Sequence, residues 1–210
     1  MAPQPVKKPS RIKQRNEARI LDAAQHVFAA HGFHGATIDA VAERAGMSQP
    51  NLHNYFKTKA DLYAAVLDQT LSLWLELIDD LDSGGDPATE LRRYIAQKME
   101  ASRQHPEASR VFANEILQGA PVLKSHLKTR TRDNVRQFAA AIEAWVSAGK
   151  LKPVDPYHLV FLIWAGTQHY ADFSAQIKLI MDVPKLTKNH FTAAEESIAA
   201  IVLEGLIARA

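Results

Sequence analysis

The stretch HGFHGATIDAVAERAGMSQPNLHNYFKTKADL, which covers residues 31–62, decides the fold of this chain. It predicts two short helices joined by a tight turn. Thr37 is placed to cap the first helix, and Gly46 is placed to end it, because glycine takes the left-handed C′ conformation at little cost. Ser48 is the predicted cap of a second helix over about 49–55. Together these features indicate a helix-turn-helix.

The second of these helices has an apolar face and a polar face. Its apolar residues fall at i, i+3 and i+4, and are Leu52, Tyr55 and Phe56. The polar residues left facing outward are Gln49, Asn51, His53 and Asn54. A helix of this kind fits the major groove of DNA, where Asn and Gln can pair bidentately with adenine. A small helical hairpin with a solvated face is the alternative interpretation, and this pattern alone does not exclude it.

A longer pattern around the hairpin resembles the TetR family of repressors. The residues that match at the family's spacing are Phe28, Gly32, Gly35, Thr37, Ile38, Val41, Ala42, Ala45, Gly46, Ser48, Leu52, Tyr55, Phe56, Lys59 and Leu62. The resemblance implies binding to double-stranded operator DNA. The DNA-binding residues that we expect are Thr37, Ser48, Gln49, Pro50, Asn51, His53, Asn54, Tyr55 and Lys59. Among them, Thr37, Tyr55 and Lys59 are expected to contact the DNA backbone.

The charge of the chain is unevenly distributed. Residues 1–62 hold nine Lys and Arg against five Asp and Glu, whereas residues 63–210 hold 16 against 18. A basic excess beside the hairpin suits contact with phosphate. Residues 1–15 are polar, basic and contain several prolines, so we expect a disordered arm that touches the DNA backbone. A solvated tail without DNA contact is the alternative.

The rest of the chain predicts helices, because apolar residues recur at helical spacing without strand-like alternation. The nine predicted helices cover about 16–31, 38–45, 49–55, 59–81, 88–105, 107–118, 122–148, 156–177 and 192–208. Capping boxes at Thr58–Asp61 and Thr192–Glu195 mark the starts of the fourth and ninth helices. We therefore expect an all-α protein of nine-helix TetR-type architecture. Its helix-turn-helix domain would cover 16–62, and a ligand-binding and dimerisation domain 63–210.

The eighth and ninth predicted helices are unusually apolar. Residues 159–165 are apolar almost all round, and the ninth helix carries Ile198, Ile201 and Val202 beside small residues. A helix that is apolar on every side must be covered on every side. An internal core is one interpretation. The other is a two-fold, four-helix interface to which each of two subunits contributes these two helices, as in TetR-family homodimers. A dimer also suits a palindromic operator.

Several polar or aromatic residues fall in apolar helical faces and form a candidate ligand site. They are Trp74, Phe112, Glu115, Phe161, Trp164 and Gln168. A buried polar group needs a partner in the protein, in water or in a ligand. One interpretation is that these groups satisfy neighbouring helices. The other is a pocket in which a flat heterocycle stacks on tryptophan and pairs its N–H/C=O edge with the amide of Gln168.

Three segments resemble the branch of the TetR family that controls pyrimidine utilisation. They cover residues 106–123, 147–159 and 164–173. This resemblance implies a small-molecule effector, uracil or thymine, bound near Trp74, Trp164 and Gln168, and no cofactor. Another nitrogen heterocycle, or a drug-like efflux substrate, is the alternative effector. A regulator without any ligand is a further alternative.

The sequence gives no indication of an enzyme or a metal centre. It contains neither G-x-S-x-G nor a phosphate-binding glycine loop. His31 and His34 flank Gly32 without a neighbouring acid, so we expect no metal site. There is no cysteine and no apolar run near the ~20 residues that span a bilayer. With no signal-peptide pattern at the basic N-terminus, we expect a cytoplasmic protein.

Overall fold

The computed structural model describes residues 11–79 and 81–207 of the chain. Within these ranges the regular structure is helical, apart from an isolated β-bridge between Leu151 and Ile207. The helices are α1 (Arg11–Gly35), α2 (Ile38–Arg44), α3 (Gln49–His53), α4 (Lys59–Asp79), α5 (Pro87–Gln104), α6 (Pro106–Leu117), α7 (Lys124–His126), a π-helical turn (Leu127–Thr131), α8 (Arg132–Ser147), α9 (Pro156–Asp172), α10 (Ser174–Ile180) and α11 (Lys188–Leu206). The predicted all-α class is confirmed. None of the described helices is both long and apolar enough to cross a membrane.

The chain divides into two compact units within α4, between Asp68 and Gln69. The first unit buries one face of α1 against apolar side chains of α2, α3 and the start of α4. The buried side chains include Ile20, Val27, Phe28, Val41, Leu52, Phe56, Leu62 and Tyr63. The Phe28 ring meets the Tyr63 ring edge-on, with 4.9 Å between their centroids. This core fixes the short helix α3 at the surface of the unit.

The helix caps and ends of the first unit agree with those predicted from the sequence, except at Ser48. Gly46 has a φ of 62°, as predicted for the residue that ends α2. The Thr37 hydroxyl accepts the capping bond from a backbone N–H of α2. Thr58 and Asp61 form a reciprocal capping box, with both backbone-to-side-chain bonds at 3.0 Å. Ser48 differs from the prediction, because it occupies the cap position of α3 without making the side-chain bond.

The second unit packs α5 against both α9 and α11, with α6 and α8 also on α9. Its main apolar cluster draws on α4, α5, α8, α9 and α11, and includes Ile78, Leu91, Tyr94, Ile95, Phe138, Ile142, Trp145, Val160, Ile163, Val202 and Leu203. Asp155 caps α9 by accepting hydrogen bonds from two backbone N–H groups. Asp86 caps α5 by accepting from the backbone N–H and the hydroxyl of Thr89. The caps and the cluster together set the positions from which α5 and α9 present side chains to a cavity.

The N-terminal arm was predicted too long. Residues 11–15 belong to α1, because Arg, Lys and Gln favour helix and no proline or glycine interrupts them. The part of the predicted arm at 1–10 lies outside the described residues. The predicted end of the first helix at His31 is marked by Gly32, where φ 65° and ψ 176° interrupt the helical backbone.

Three predicted helices of the second unit are divided or shifted, so the described ranges hold eleven α-helical segments where nine helices were predicted. The helix predicted over 122–148 is interrupted by the π-helical turn, within which the Thr129 hydroxyl donates to the Ser125 carbonyl and competes with the backbone ladder. The helix predicted over 156–177 breaks at Phe173. The last helix starts at Lys188, because Thr187 and His190 form its capping box. The box predicted at Thr192–Glu195 therefore lies inside the helix.

Candidate functional site

The exposed side of α3 carries the polar residues that the sequence predicted there. Gln49, Asn51 and Asn54 are exposed and His53 is half-buried, while Leu52 beneath them is fully buried. Amide groups on a short helix that projects from a packed core are available to hydrogen-bond an external partner. This surface therefore fits the geometry required of a recognition helix.

Two of the side chains predicted to contact DNA phosphate also make bonds within the first unit. The Lys59 ammonium donates to the Ala36 carbonyl at 2.9 Å and lies 4.7 Å from the centroid of the Phe33 ring. The Tyr55 hydroxyl accepts a bond of 2.9 Å from the Asn16 amide. An ammonium has three donors and a phenol keeps its own proton, so each group retains a donor for an outside acceptor.

A cavity of about 350 Å³ lies in the second unit among α4, α5, α6, α9 and the π-helical turn. Its walls are formed by Leu71, Trp74, Leu75, Lys98, Phe112, Ile116, Leu127, Thr131, Phe161, Trp164 and Gln168. Five of the six predicted ligand residues are among them: Trp74, Phe112, Phe161, Trp164 and Gln168. Aromatic and aliphatic walls with a few polar groups are typical of sites for small organic ligands.

Glu115, the sixth predicted ligand residue, does not line this cavity. It is only 1% exposed, as its position on an apolar face predicted. Its Oε1 atom accepts backbone N–H bonds from Val122 at 2.6 Å and Leu123 at 3.0 Å. The buried carboxylate thus finds its partners in the loop before α7, which satisfies the need for a hydrogen bond without a ligand. We therefore leave Glu115 out of the candidate ligand site.

Lys98 was not predicted from the sequence, yet it lines the same cavity and is 2% exposed. Its Nζ atom lies 4.0 Å from the centroid of the Trp74 ring and 5.9 Å from that of Trp164. Burial lowers the pKa of Lys98 to about 7, and the attraction of Asp172 opposes the shift. A signal was present in the sequence, since Lys98 follows Leu91 and Ile95 at i+7 and i+3 on the apolar face of α5.

The polar atoms of the cavity differ in whether they already have partners. The Trp164 indole N–H donates to the Tyr94 hydroxyl at 2.7 Å. The Trp74 indole N–H and the Thr131 hydroxyl are buried and have no hydrogen-bond partner among the described residues. Buried donors of this kind are costly unless something else satisfies them. Trp74 and Thr131 therefore each hold an unpaired polar atom beside the cavity, although neither atom is open to it in this conformation.

A second cavity of about 370 Å³ shares Phe112, Ile116 and Gln168 with the first and is also lined by Arg110 and Asp172. Asp172 Oδ1 accepts a bond of 2.6 Å from the Ser109 hydroxyl. Burial raises the pKa of Asp172, while the bond from Ser109 and the charge of Lys98 act in the opposite direction. In the described part of the chain, no cluster of His, Asp and Glu could hold a metal ion.

Both units match known protein families. Residues 20–66 match the family model described as bacterial regulatory proteins of the tetR family, and residues 67–209 match the C-terminal region of YcdC-like proteins. A curated relative is the HTH-type transcriptional regulator RutR of Escherichia coli K12. It is 40% identical over 199 residues, which are 95% of this chain and 94% of that protein. The HTH-type transcriptional repressor SCO4008 of Streptomyces coelicolor is 26% identical and covers 82% of this chain and 86% of its own.

Solved structures share the fold at low sequence identity. A bacterial regulatory protein of the tetR family from Rhodococcus RHA1 superposes with a TM-score of 0.76 at 20% identity, over 96% of this chain and all of that one. AibR, solved in complex with isovaleryl coenzyme A and operator DNA, superposes with a TM-score of 0.68 at 16% identity. The match covers 89% of this chain and 97% of AibR.

Proposed function

This chain belongs to the TetR family of bacterial regulatory proteins, and we propose that it is a repressor of pyrimidine or other nucleobase metabolism that releases its operator when uracil or thymine binds. The TetR-family resemblance inferred from the residues between Phe28 and Leu62 is confirmed, and the resemblance to the pyrimidine-utilisation branch agrees with the 40% identity to RutR. The chain is thus a DNA-binding transcriptional regulator and not an enzyme. The effector, the contacts with DNA and the dimer interface are parts of our proposal.

At the DNA end, we assign base contacts to the exposed face of α3. Gln49, Asn51, His53 and Asn54 carry hydrogen-bonding groups suited to base edges. Thr37 and Ser48 are exposed and carry hydroxyls suited to phosphate contact, and Pro50 lies in the first turn of α3 after Ser48. One such helix from each subunit would read one half of a palindromic operator. We therefore propose that the protein works in the cytoplasm, where chromosomal DNA lies.

TetR-family regulators act as dimers, and we place the interface on α9 and α11. The eighth and ninth predicted helices correspond to α9 with α10, and to α11. Each helix buries one face within its own chain, yet Leu162 on α9 is 59% exposed and Ile201 on α11 is 72% exposed. Large apolar side chains left open on two adjacent helices are typical of a surface that a second subunit covers.

The main support for the proposed effector is the cavity lined by Trp74, Trp164 and Gln168. Trp164 and Gln168 both line it, and both belong to a segment that resembles the pyrimidine-utilisation regulators. A volume of about 350 Å³ lies near the lower end of the ~300–1,000 Å³ range of small-molecule sites, which favours a compact heterocycle over a bulky drug. Lys98 covers one face of the Trp74 ring, so a base would stack on the other face or on Trp164. The Gln168 amide can accept from and donate to an imide edge.

The coupling to DNA requires that the effector prefer one conformation of the dimer, since only differential affinity shifts an equilibrium. Helix α4 supports such coupling, because its first residues belong to the first unit and Trp74 belongs to its second half. A base that contacts Trp74 therefore touches the helix that continues into the DNA-binding unit. We expect the base-bound dimer to favour a geometry that fits the operator poorly.

The Gln168→Ala variant tests the effector claim. Loss of a buried, hydrogen-bonded edge is worth ~1–3 kcal/mol, so we expect the uracil Kd to rise about tenfold or more by titration calorimetry. Gln137→Ala, at an exposed position on α8, is the matched control and should bind uracil as the parent does. Operator affinity without ligand should be the same for all three proteins.

Fluorescence anisotropy of a labelled operator should decrease when uracil is added to the parent complex. No heat and no operator release with uracil, thymine or other nucleobases would contradict the effector claim and leave DNA binding unaffected. Release by a different nitrogen heterocycle alone would favour the alternative effector class.

A further inference from the structure

We propose that Lys98 binds the effector directly, its ammonium donating to a carbonyl or ionised oxygen, so that the cavity selects planar molecules rich in hydrogen-bond acceptors. The inference rests on the proposed function, because it concerns the same cavity. Lys98 adds a charged contact to that cavity, and this contact requires the ligand to present an acceptor oxygen.

The position of Lys98 supports this role. Its side chain is 2% exposed and its Nζ atom packs over the Trp74 ring at 4.0 Å. Among the described residues, no carboxylate forms an ion pair with it, and the Oδ1 atom of Asp172 is held by Ser109. A cation–π contact replaces only part of the hydration that a buried ammonium loses. An acceptor on a bound ligand would supply the missing partner.

The neighbouring polar groups indicate the same ligand chemistry. The Trp74 indole N–H and the Thr131 hydroxyl, both in the cavity wall, lack partners among the described residues. A small movement of either side chain would let its N–H or O–H join the Lys98 ammonium as a donor to a ligand, whereas Gln168 can both donate and accept. A planar imide matches this set, because its two carbonyl oxygens accept from the donors while an N–H donates to Gln168.

The charges around Lys98 are few. Asp172 and His169 belong to α9, and Arg110 on α6 acts on Asp172. The cavity walls contributed by α4, α6 and the π-helical turn consist of uncharged side chains among the described residues. On α11, Glu195 lies at a separate groove beside Glu100. Lys98 is therefore the titrating group of this wall.

This setting makes effector binding sensitive to pH. Because burial lowers the pKa of Lys98 to about 7, only part of the free protein carries the ammonium at pH 7.5. A ligand oxygen that accepts from the ammonium stabilises the charged form and raises its pKa. Binding therefore takes up protons from solution, and the affinity falls as the pH rises above 7.

Titration calorimetry with uracil tests the inference on the full chain between pH 6 and 8.5, in buffers of different ionisation enthalpy. We expect proton uptake near pH 7.5 and a Kd that rises by up to about tenfold per pH unit above 7. Lys98→Met should weaken binding at least about tenfold and abolish the uptake. Lys98→Gln, which keeps a donor, should bind uracil better than the methionine variant but without uptake. Lys150→Met, at an exposed position after α8, is the control for charge removal.

Barbiturate, a planar ring ionised at neutral pH, is the second probe and separates the two proposals. If barbiturate binds with Lys98-dependent proton uptake while uracil gives no heat, the role of Lys98 stands and the uracil claim fails. If uracil binds without proton uptake and equally well to Lys98→Met, the role of Lys98 is overturned and the uracil claim stands. Failure of both probes to bind the parent overturns both. Proton uptake by the parent is measured without any variant, so a misfolded variant does not prevent the test.

Discussion

At the scale of single residues, a buried polar side chain can be a structural group or a ligand contact. The hydrogen-bond partners of its polar atoms distinguish the two roles. Glu115 and Lys98 both lie on apolar helical faces and are both almost fully buried. The Glu115 carboxylate accepts two backbone bonds, whereas the Lys98 ammonium has an aromatic ring and no bonded acid among the described residues. The first is a structural group, and the second is the candidate for a ligand contact.

Glu115→Ala should therefore lower stability without changing effector affinity. Removal of the carboxylate leaves the buried N–H of Leu123 without its acceptor, which costs about 1–3 kcal/mol, while Val122 is 39% exposed and its N–H can bond water instead. Urea denaturation measures the free energy of unfolding, and calorimetry measures the uracil Kd of the folded variant. Glu107→Ala, at the start of the same helix, is the comparison. A stable Glu115→Ala protein with weakened uracil binding would return Glu115 to the ligand site.

At the scale of helices, α3 presents its polar side chains to solvent over a single short stretch. Asn51 is exposed near the middle of α3, and Ser48 is exposed at its cap without a capping bond. We expect Asn51→Ala to weaken operator binding by roughly 1–3 kcal/mol if it reads a base, and to change binding to random DNA little. Ser48→Ala should weaken both by similar amounts, since phosphate contacts carry no sequence information. Anisotropy titrations with both DNAs measure this, and an equal loss for Asn51→Ala would assign it to the backbone.

The features predicted best from the sequence are those that depend only on residues close together in the chain. Gly46, the Thr37 cap and the Thr58–Asp61 box depend on local backbone chemistry, and each was predicted correctly. Part of the cavity wall was also predicted, because helical spacing placed Trp164 and Gln168 on one helix face. The π-helical turn could not be predicted in this way, because it depends on which of two competing backbone patterns the surrounding packing allows. Lys98 was not predicted as a ligand residue, because one charged residue on an apolar helix face does not show which residues of other helices pack against it.

At the scale of the whole molecule, function requires two copies of the chain. Within one copy, Leu162 and Ile201 leave apolar surface open on α9 and α11. A stable interface buries large apolar side chains near its centre, so these helices are where we expect the partner subunit to pack.

Ile201→Glu tests this interface. The position is 72% exposed in the single chain, so the substitution should leave the fold of each subunit intact. At the proposed interface it would bury a charge without a partner, at a cost of several kcal/mol, and sedimentation should show monomers that bind the operator poorly. Leu179→Glu is the matched control, because Leu179 is 82% exposed on α10. A dimeric Ile201→Glu protein with normal operator affinity would place the interface elsewhere.

The π-helical turn at Leu127–Thr131 has a consequence for how such regulators diversify. A π turn holds one residue more than the α-helical path it interrupts, and each residue in an α-helix advances the side-chain direction by about 100°. Loss of a single codon within the turn would restore a continuous α-helix and rotate the side chains at Leu127 and Thr131 relative to one another. Both residues line the cavity, so one deletion would change the side-chain arrangement of its wall, and no lining residue would be substituted. A one-residue deletion in the turn is therefore expected to change the shape of the cavity wall without any substitution in it.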